Sequence, residues 1–441
     1  MKHRMWFAGA LLALLWITPA MADNRFIVRS TLTSSLLEQF CVLQSCTVVG
    51  AIDGTLNQVF LLTTPNTIDA TTFLNLLRNT PGILGAEVDQ LISLVGGLNA
   101  VTTAPPSLTD NTPVNYFGTK VWSGYANQPA SAVVHVQDAQ NTFDVAGKGI
   151  VADIDTGVDP GHPALISALL PGYDFTRNQA GGSEMTDFGS PAPPPCPNCQ
   201  PAIVNQSTAA VLDQSTAAVL DGNLQYAAFG HGTMVMGVIH LVAPKARLLP
   251  LKAFHSDGTG FLSDILRAIY YAVQNDANVI NMSFDTTTNS TELKNALDFA
   301  NQLNVICVAS GGNDGQGPPT LVYPAALQTD VMGVASTSDL DTRSTFSNYG
   351  NAIVWVAAPG EGIITTYPFS TYAAGWGTSF STPFVAGGVA LMRNLRPDID
   401  ESLAALALAH AQFVGPDMGN GRLDLVMALA ALPAEKDSQK Y

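Results

Sequence analysis

The hydrophobic positions divide the chain into two parts with different patterns. In residues 25–92, short apolar runs alternate with amphipathic stretches in the order strand, helix, strand, strand, helix, strand, at 26–28, 36–43, 47–52, 58–62, 71–77 and 83–88. This order is typical of a small ferredoxin-like α+β unit. Residues 96–113 are rich in Thr, Pro, Ser and Asn and have no hydrophobic period. They predict an exposed, cleavable linker.

From Lys148 onward, wholly apolar short runs alternate with longer helical stretches, and strands are predicted at 150–154, 247–251, 279–283, 305–309 and 331–335. Such runs are typical of strands buried on both faces, so we expect an α/β domain with a doubly wound, mostly parallel sheet. The domain is expected to span 114–432, followed by a polar tail at 433–441.

Within this domain, the pattern is lost over 172–222, which is rich in Pro, Gly and Ser. This inserted loop contains a tandem repeat, with one copy at 206–213 and the other at 214–221. Two copies favour a duplicated surface loop over a solenoid.

Composition narrows the range of functions. The chain has 441 residues, which suits a small leader unit and one large domain, and its 47% hydrophobic and 12% charged residues predict a sizeable buried core. The formal net charge is −16, and the 19 Lys and Arg residues form no basic run. This argues against nucleic acid as a partner.

The N-terminus has the features of a secretory signal. Lys2 and Arg4 precede an apolar run over 5–17, and Ala20 and Ala22 provide a small-residue cleavage site. We therefore expect a signal peptide at 1–22, a secreted or periplasmic protein, and a leader unit at 23–95. The alternative is a membrane anchor, but the run is shorter than the roughly 20 residues that a spanning helix needs. No stable membrane span is expected.

Five cysteines leave the pairing open. Cys196 and Cys199 lie in a proline-rich loop and predict a local disulfide or free thiols; a zinc site would need a second pair of ligands, which is missing nearby. Cys41 and Cys46 have no assigned pairing. Cys307 lies in a strand-like apolar run and is interpreted as a small buried hydrophobe.

Three reactive side chains stand beside glycines at the ends of predicted elements. Asp155 follows a buried strand, and His231 and Ser379 each open a predicted helix. Pro383 is expected in the first turn of the second helix, where proline is tolerated. A serine becomes a nucleophile when a base takes its proton and a carboxylate orients that base, and the order Asp, His, Ser is one known arrangement. Taken singly, the three are ordinary turn and helix-start residues.

The surrounding sequences resemble a known family. Asp-Thr-Gly, His-Gly-Thr and Gly-Thr-Ser-Phe-Ser-Thr-Pro-Phe-Val-Ala-Gly, in this order, are similar to the signature blocks of the subtilisin-like serine proteases (subtilases, peptidase family S8). The similarity runs over 149–432 and includes Asn281-Met-Ser, Ala309-Ser-Gly-Gly-Asn and Tyr323-Pro-Ala.

The resemblance implies a subtilisin-like fold and a serine endopeptidase that cleaves proteins or peptides through an acyl-enzyme, with Asp155, His231 and Ser379 as catalytic triad. It implies that the side chain of Asn313 and the backbone amide of Ser379 bind the oxyanion, and that the chemistry needs no cofactor. The leader is similar to the inhibitory prosegment of this family (inhibitor I9), which implies a self-inhibited precursor with its own prosegment as intramolecular inhibitor.

The substrate is expected to bind as an added strand. Its main chain would pair with Ser283, Phe284 and Asp285 on one side and with Gly258, Thr259 and Gly260 on the other, and Gly312 is a further candidate for this surface. In the family, glycine is usual where Asp285 and Val322 stand. Both departures would narrow the pocket for the residue before the scissile bond or change its polarity.

Three further sets of side chains are candidates for a role in the domain. Strand alternation places Asp153 on the same face as Asp155, so Asp153 is an alternative orienting acid. His162 and His255 are interpreted as loop residues without a catalytic role. The acidic loops between Asp174 and Asp187 are candidates for structural calcium, although their ligands have no ordered spacing.

Two other functions remain to be distinguished from an active endopeptidase. One is a catalytically silent binding protein on the same scaffold. The other, a serine-carboxyl peptidase with a Glu base, is disfavoured because His231 occupies the position of the base.

Overall fold

A computed structural model describes residues 23–94, 104–188 and 224–433, together with the backbone of two short strands at 202–204 and 209–211. The expected signal peptide, Cys196, Cys199, the second copy of the tandem repeat and the tail from residue 434 lie outside the described residues.

The leader forms a four-stranded antiparallel sheet with two helices, in the strand and helix order that the sequence predicts. The elements are β1 Asn24–Ser30, α1 Ser34–Gln44, β2 Thr47–Ala51, β3 Val59–Thr64, α2 Ala70–Arg78 and β4 Ile83–Val88. The strands pair in the order β2-β3-β1-β4. Phe26 and Phe60 pack with Phe73 of the second helix in the core of this unit, and a disulfide joins Cys41 to Cys46.

The second unit is built around an eight-stranded sheet. Its strands are β8 Ile150–Asp155, β9 Tyr173–Asp174, β10 Gln179–Ala180, β13 Arg247–Lys252, β15 Val279–Met282, β16 Ile306–Ser310, β17 Met332–Thr337 and β18 Val356–Pro359. Their order in the sheet is β10-β9-β13-β8-β15-β16-β17-β18. All neighbouring strands from β9 to β18 pair in parallel, and β10 is an antiparallel edge strand.

Helices cover both faces of this sheet, because successive strand residues point to opposite faces. Val151 and Val279 pack in one core with the helices α6 His231–Val242 and α9 Thr378–Leu395. Ala152 and Ile280 pack in the other core with α7 Leu262–Gln274 and α8 Thr291–Gln302. The sheet is therefore doubly wound, as the apolar runs predict.

Smaller elements complete the described structure. The helices are α3 Ser123–Ala126, α4 Pro129–Val133, α5 Val136–Phe143, α10 Glu401–Leu408 and α11 Leu425–Ala430, with short 3₁₀ helices at Pro106–Thr109 and Leu224–Tyr226. The remaining strands are β5 Leu91–Ser93, β6 Pro113–Tyr116, β7 Thr119–Trp122, β11 Ala202–Val204, β12 Ala209–Val211, β14 Thr259–Phe261, β19 Ile363–Tyr367 and β20 Thr371–Gly375. Strands β11-β12-β20-β19 form a second antiparallel sheet, so part of the inserted loop pairs with the main domain.

Two local expectations were wrong. Part of the predicted exposed linker is folded, because Leu108 in the 3₁₀ helix Pro106–Thr109 is fully buried in the core of the second unit. Pro383 lies beyond the first turn of α9, which begins at Thr378. A proline there removes the N–H that would bond the carbonyl of Ser379 four residues earlier.

Candidate active site

Asp155 and His231 are hydrogen-bonded to each other at the carboxyl edge of the large sheet. Asp155 is the last residue of β8, and His231 is the first residue of α6. The imidazole Nδ1 lies 2.8 Å from both carboxylate oxygens. The two segments approach so closely that a side chain at Gly232 would overlap the Gly157 carbonyl oxygen. This close approach explains why glycine follows His231.

The surroundings of His231 raise the pKa of its imidazole. Burial alone would lower the pKa of His231, but the charge and hydrogen bond of Asp155, together with the charge of Glu184, raise this pKa above its ordinary value. Because Nδ1 donates to a carboxylate, the neutral ring presents Nε2 as its acceptor. Nε2 is buried and has no hydrogen-bond partner among the described residues.

Asp153 does not contact His231. Its Oδ1 accepts a 2.9 Å hydrogen bond from Asn281 Nδ2, and burial, with the nearby charge of Asp155, raises the pKa of Asp153 well above the usual range. A neutral, fully buried acid is poorly suited to stabilise an imidazolium. The structure therefore brings Asp155, and not Asp153, to the imidazole.

Ser379 lies in the first turn of α9, and its polar atoms meet Ser283. The Ser379 hydroxyl donates to the Ser283 carbonyl oxygen at 3.0 Å, and the Ser283 hydroxyl donates to the Ser379 carbonyl oxygen at 2.9 Å. The second bond satisfies the carbonyl that Pro383 leaves without a helical donor. A hydrogen bond from Ser379 to His231 is absent from the described structure.

Asn313 follows β16 and is held through its side-chain oxygen. Oδ1 accepts hydrogen bonds from the backbone N–H of Thr378 at 2.8 Å and from the Thr378 hydroxyl at 3.0 Å. Because Thr378 donates in both contacts, the accepting atom is the oxygen of the amide, and this fixes the orientation of the Asn313 side chain. The Nδ2 group is left to donate elsewhere, near the start of α9.

The candidate substrate-binding segments have different environments. Gly258, Thr259 and Gly260 border the leader, because β5 pairs antiparallel with β14 and the Leu94 N–H donates to the Gly258 carbonyl at 2.8 Å. On the opposite side, the Phe284 side chain is buried in the core, so only its backbone is available to a substrate.

Asp285 and Val322 are the two positions at which the family resemblance leads us to expect glycine. A Cβ built on Gly312 would lie 3.3 Å from Asp285 Oδ2, so this carboxylate extends toward Gly312. Burial, together with the charge of Asp314, raises the pKa of Asp285 to about 7. Val322 is fully buried.

Asp174 and Asp187, which bound the candidate calcium segment, both pair with cationic side chains. Asp174 pairs with Arg177, and Asp187 pairs with Arg177 and with the buried Lys252. Within the described ranges, no cluster of three or more His, Cys, Asp or Glu side chains could hold a metal ion. The third acid of this segment, Glu184, lies against the Asp155 and His231 segments and was not singled out from the sequence.

Of the remaining residues, His162 and Cys307 are buried and His255 lies in a loop. His162 is buried in a loop, where the Ala164 N–H donates to its Nδ1 and its Nε2 lies 3.0 Å from the Thr371 carbonyl oxygen. His255 lies in the turn before β14. Cys307 is buried and free, as interpreted from the sequence.

Comparisons with known proteins agree with this fold. A model of the subtilase family (peptidase S8) matches residues 147–419. Thermitase of Thermoactinomyces vulgaris is 33% identical over 256 residues, covering 58% of this chain and 78% of thermitase. The thermophilic serine proteinase of Bacillus sp. (strain AK1) is 32% identical over 242 residues, covering 55% of this chain and 51% of that protein. Subtilisin Savinase of Lederbergia lenta is 37% identical over 177 residues, covering 38% of this chain and 64% of Savinase.

The fold and the comparisons define a serine endopeptidase whose chemistry needs no cofactor. The chain belongs to the subtilase family. No helix among the described residues is long and apolar enough to cross a membrane.

Proposed function

We propose that the chain is a secreted endopeptidase that cleaves peptide bonds with Ser379 as nucleophile, His231 as general base and Asp155 as the acid that orients the base. The observation that carries this proposal is the buried Asp155–His231 pair, whose Nε2 is left as an acceptor without a partner among the described residues. A base must be neutral and accessible to the serine proton, and this ring presents its lone pair in that way.

The proposed reaction has two halves. The Ser379 hydroxyl turns from Ser283 to His231, gives its proton to Nε2 and attacks the substrate carbonyl carbon, whose oxygen becomes negative. Asn313 Nδ2 and the Ser379 backbone N–H donate to that oxygen. The imidazolium then protonates the leaving amine, an acyl-enzyme forms, and a water molecule activated by the same imidazole releases the acid.

We propose that protein or peptide substrates bind as an extra strand against β14. The leader supports this position, since its segment Leu91–Ser93 already pairs there and Ile92 is buried against the same domain. A chain that occupies the substrate strand excludes substrate, so the leader at 23–95 would act as an intramolecular inhibitor.

Polar contacts support a specific docking of the leader. Glu87 accepts from the Ser290 hydroxyl and the Thr291 N–H at the start of α8. Asp89 accepts from the N–H and hydroxyl of Ser263 at the start of α7, at 2.8 and 2.7 Å. Carboxylates are stabilised at helix N-termini by unpaired amides and the helix dipole.

The salt bridge Arg29–Glu292 joins the same two surfaces, and Arg25 pairs with Asp89 at this interface. The chain is therefore proposed to be made as a self-inhibited precursor whose leader also assists folding of the parallel sheet. Export through the segment 1–22 remains part of this proposal.

The test is hydrolysis of casein by the purified chain after leader removal. Ser379→Ala and His231→Ala should abolish turnover. The first removes the hydroxyl that gives up its proton and attacks the substrate, and the second removes the ring nitrogen that accepts this proton. Ser381→Ala is the matched control, since Ser381 is a buried serine of the same helix whose hydroxyl has no partner among the described residues. Undiminished hydrolysis by Ser379→Ala would overturn the assignment.

A catalytically silent protein is the second candidate, and one observation favours it: the Ser379 hydroxyl is directed to Ser283 rather than to His231. Absence of hydrolysis by the wild-type chain under conditions in which the leader is gone would support this alternative.

A further inference from the structure

Glu184 is a fully buried carboxylate between the two segments that carry Asp155 and His231. Its Oε2 accepts from the Thr156 hydroxyl at 2.9 Å and from the Gly230 N–H at 2.8 Å. Its Oε1 accepts from the hydroxyl of Thr233 and, at 3.3 Å, from the Thr233 N–H. One side chain therefore joins the residue after Asp155 to the first turn of α6.

The hydrogen-bond directions show that each of these partners of Glu184 is a donor. The Thr156 hydroxyl accepts from the Gly232 N–H at 3.0 Å, so its own proton is free to point to Glu184. The Thr233 hydroxyl likewise accepts from the Asp159 N–H at 2.7 Å. The two backbone N–H groups can only donate, and each hydroxyl has its proton available for Glu184, so the arrangement suits the ionised form.

The charged groups around this carboxylate come from three elements. Lys252 of β13 partly offsets its charge, and the charge of Glu184 helps to raise the pKa of Asp153 of β8. The charges of Asp155 and Glu184 both act on the imidazole of His231 and raise its pKa, against the effect of burial. Burial raises the pKa of Glu184 to about 7, although the four donors and Lys252 favour the charged form.

We infer that Glu184 is a positioning residue for the base: it fixes the start of α6 against the Asp155 segment and stabilises the imidazolium that His231 forms during turnover. This inference rests on the proposed function of His231. Glu184 does not touch the substrate or the reacting atoms. Its effect passes through the first turn of α6 and through its negative charge.

The test compares Glu184→Gln, which removes the charge, with Glu184→Asp, which keeps the charge but shortens the reach. In the leader-free enzyme, both variants should lower kcat by about 10- to 100-fold, as the loss of a partner that orients a functional side chain does, with little change in KM. The acid limb of kcat/KM should move to lower pH only in Glu184→Gln, by about 0.5 to 1 pH unit. Thr186→Ala, an exposed change in the same segment, is the control.

A second readout does not need activity. In the Ser379→Ala background, an NMR titration of the His231 ring should give a lower pKa when Glu184→Gln is added than in the Ser379→Ala parent or with Glu184→Asp. If Ser379 proves not to be the nucleophile, this titration still decides the effect of Glu184 on His231.

Two sets of results would overturn the inference. The first is an unchanged kcat together with an unchanged titration of His231 in Glu184→Gln. The second is an equal loss of kcat in both variants without a shift of the acid limb, or failure of both variants to fold, since either result would assign Glu184 to stability alone.

Discussion

The amide of Asn313 is oriented before any substrate binds. Thr378 supplies two donors to Oδ1, one from its backbone and one from its hydroxyl, and these contacts leave Nδ2 free to donate to another group. Preorganised donors stabilise developing charge without a reorganisation cost at the moment of reaction.

We therefore expect Asn313→Ala to lower kcat by about 10²- to 10³-fold with little change in KM, which is the magnitude that such a donor has in a subtilisin. Steady-state kinetics on a peptide substrate measure both constants. Asp314→Asn, an exposed change at the next residue, should leave kcat near the wild-type value. A loss in Asn313→Ala that appeared only as a higher KM would assign this side chain to substrate binding.

His240 is expected to make the stability of the fold depend on pH. It is buried in α6, and neither ring nitrogen has a hydrogen-bond partner in the part of the chain that the structure describes. Burial lowers the pKa of His240 to about 4, and the positive charges of His162 and Lys245 add to this effect.

Because the unfolded chain binds this proton near pH 6.5 and the folded chain only near pH 4, stability falls as the pH drops through this window. The loss attributable to His240 should reach about 2 kcal/mol at pH 5 relative to pH 8. Urea unfolding at each pH measures this loss in the Ser379→Ala chain, which cannot digest itself. The comparison is with the Ser379→Ala/His240→Leu chain, in which the loss should be absent. Parallel pH profiles of the two proteins would contradict the assignment.

At the scale of elements, α9 carries Ser379 in its first turn and contains an interior proline, Pro383. Pro383 removes a helical N–H, and the hydroxyl of Ser283 replaces it as the donor to the Ser379 carbonyl. The end of β15 is thereby fixed to the first turn of α9, and the backbone around Ser379 is held in place.

Ser283→Ala should lower the free energy of unfolding by about 1–3 kcal/mol, because a buried carbonyl loses its donor. Pro383→Ala supplies a helical N–H for the same carbonyl. The double variant should then lose at least about 0.5 kcal/mol less than the sum of the single losses, which is the coupling expected of residues that share a partner. Additive effects in urea unfolding would show that the two residues do not compensate for each other.

The elements themselves were largely predictable. Apolar runs located β8, β13 and β16 to within one or two residues, because strands buried on both faces carry few polar interruptions. Leu108 was missed because a single apolar residue in a Pro- and Thr-rich stretch has no periodicity. The inserted loop also concealed strands β11 and β12.

The candidate site was predictable only in part. Glycines near Asp155, His231 and Ser379 marked element ends in the sequence, and the three family blocks supplied the order. Glu184 left no such signal, since it contacts Thr156 and Gly230 across 28 and 46 residues of chain. The role of the Ser283 hydroxyl follows from Pro383 and could be recognised only when both elements were seen together.

At the scale of the whole molecule, the leader and the peptidase domain are joined along the proposed substrate strand. Strand β5 pairs with β14, and Glu87 and Asp89 lie at the starts of α8 and α7. The leader is held beside β14 as far as Leu94, whose N–H donates to the Gly258 carbonyl oxygen. The segment that follows is tethered to this position, so its effective concentration at the proposed cleft is high, which favours cleavage of the enzyme's own chain.

We expect the wild-type protein to lose its leader within the segment 96–113, and Ser379→Ala to retain it when no other protease is present. Intact-mass measurement of the two purified proteins tests this. Retention in both would argue against self-processing, and loss in both would indicate a foreign protease.

The central claim is that Ser379 is a nucleophile activated by His231 and Asp155. Its most direct test is labelling of the processed wild-type chain with a fluorophosphonate probe, followed by mass spectrometry of the labelled peptide. We predict one adduct, on Ser379, and its loss in His231→Ala, because an unactivated serine reacts slowly. An adduct on another residue, or equal labelling of the wild-type and His231→Ala chains, would contradict the claim.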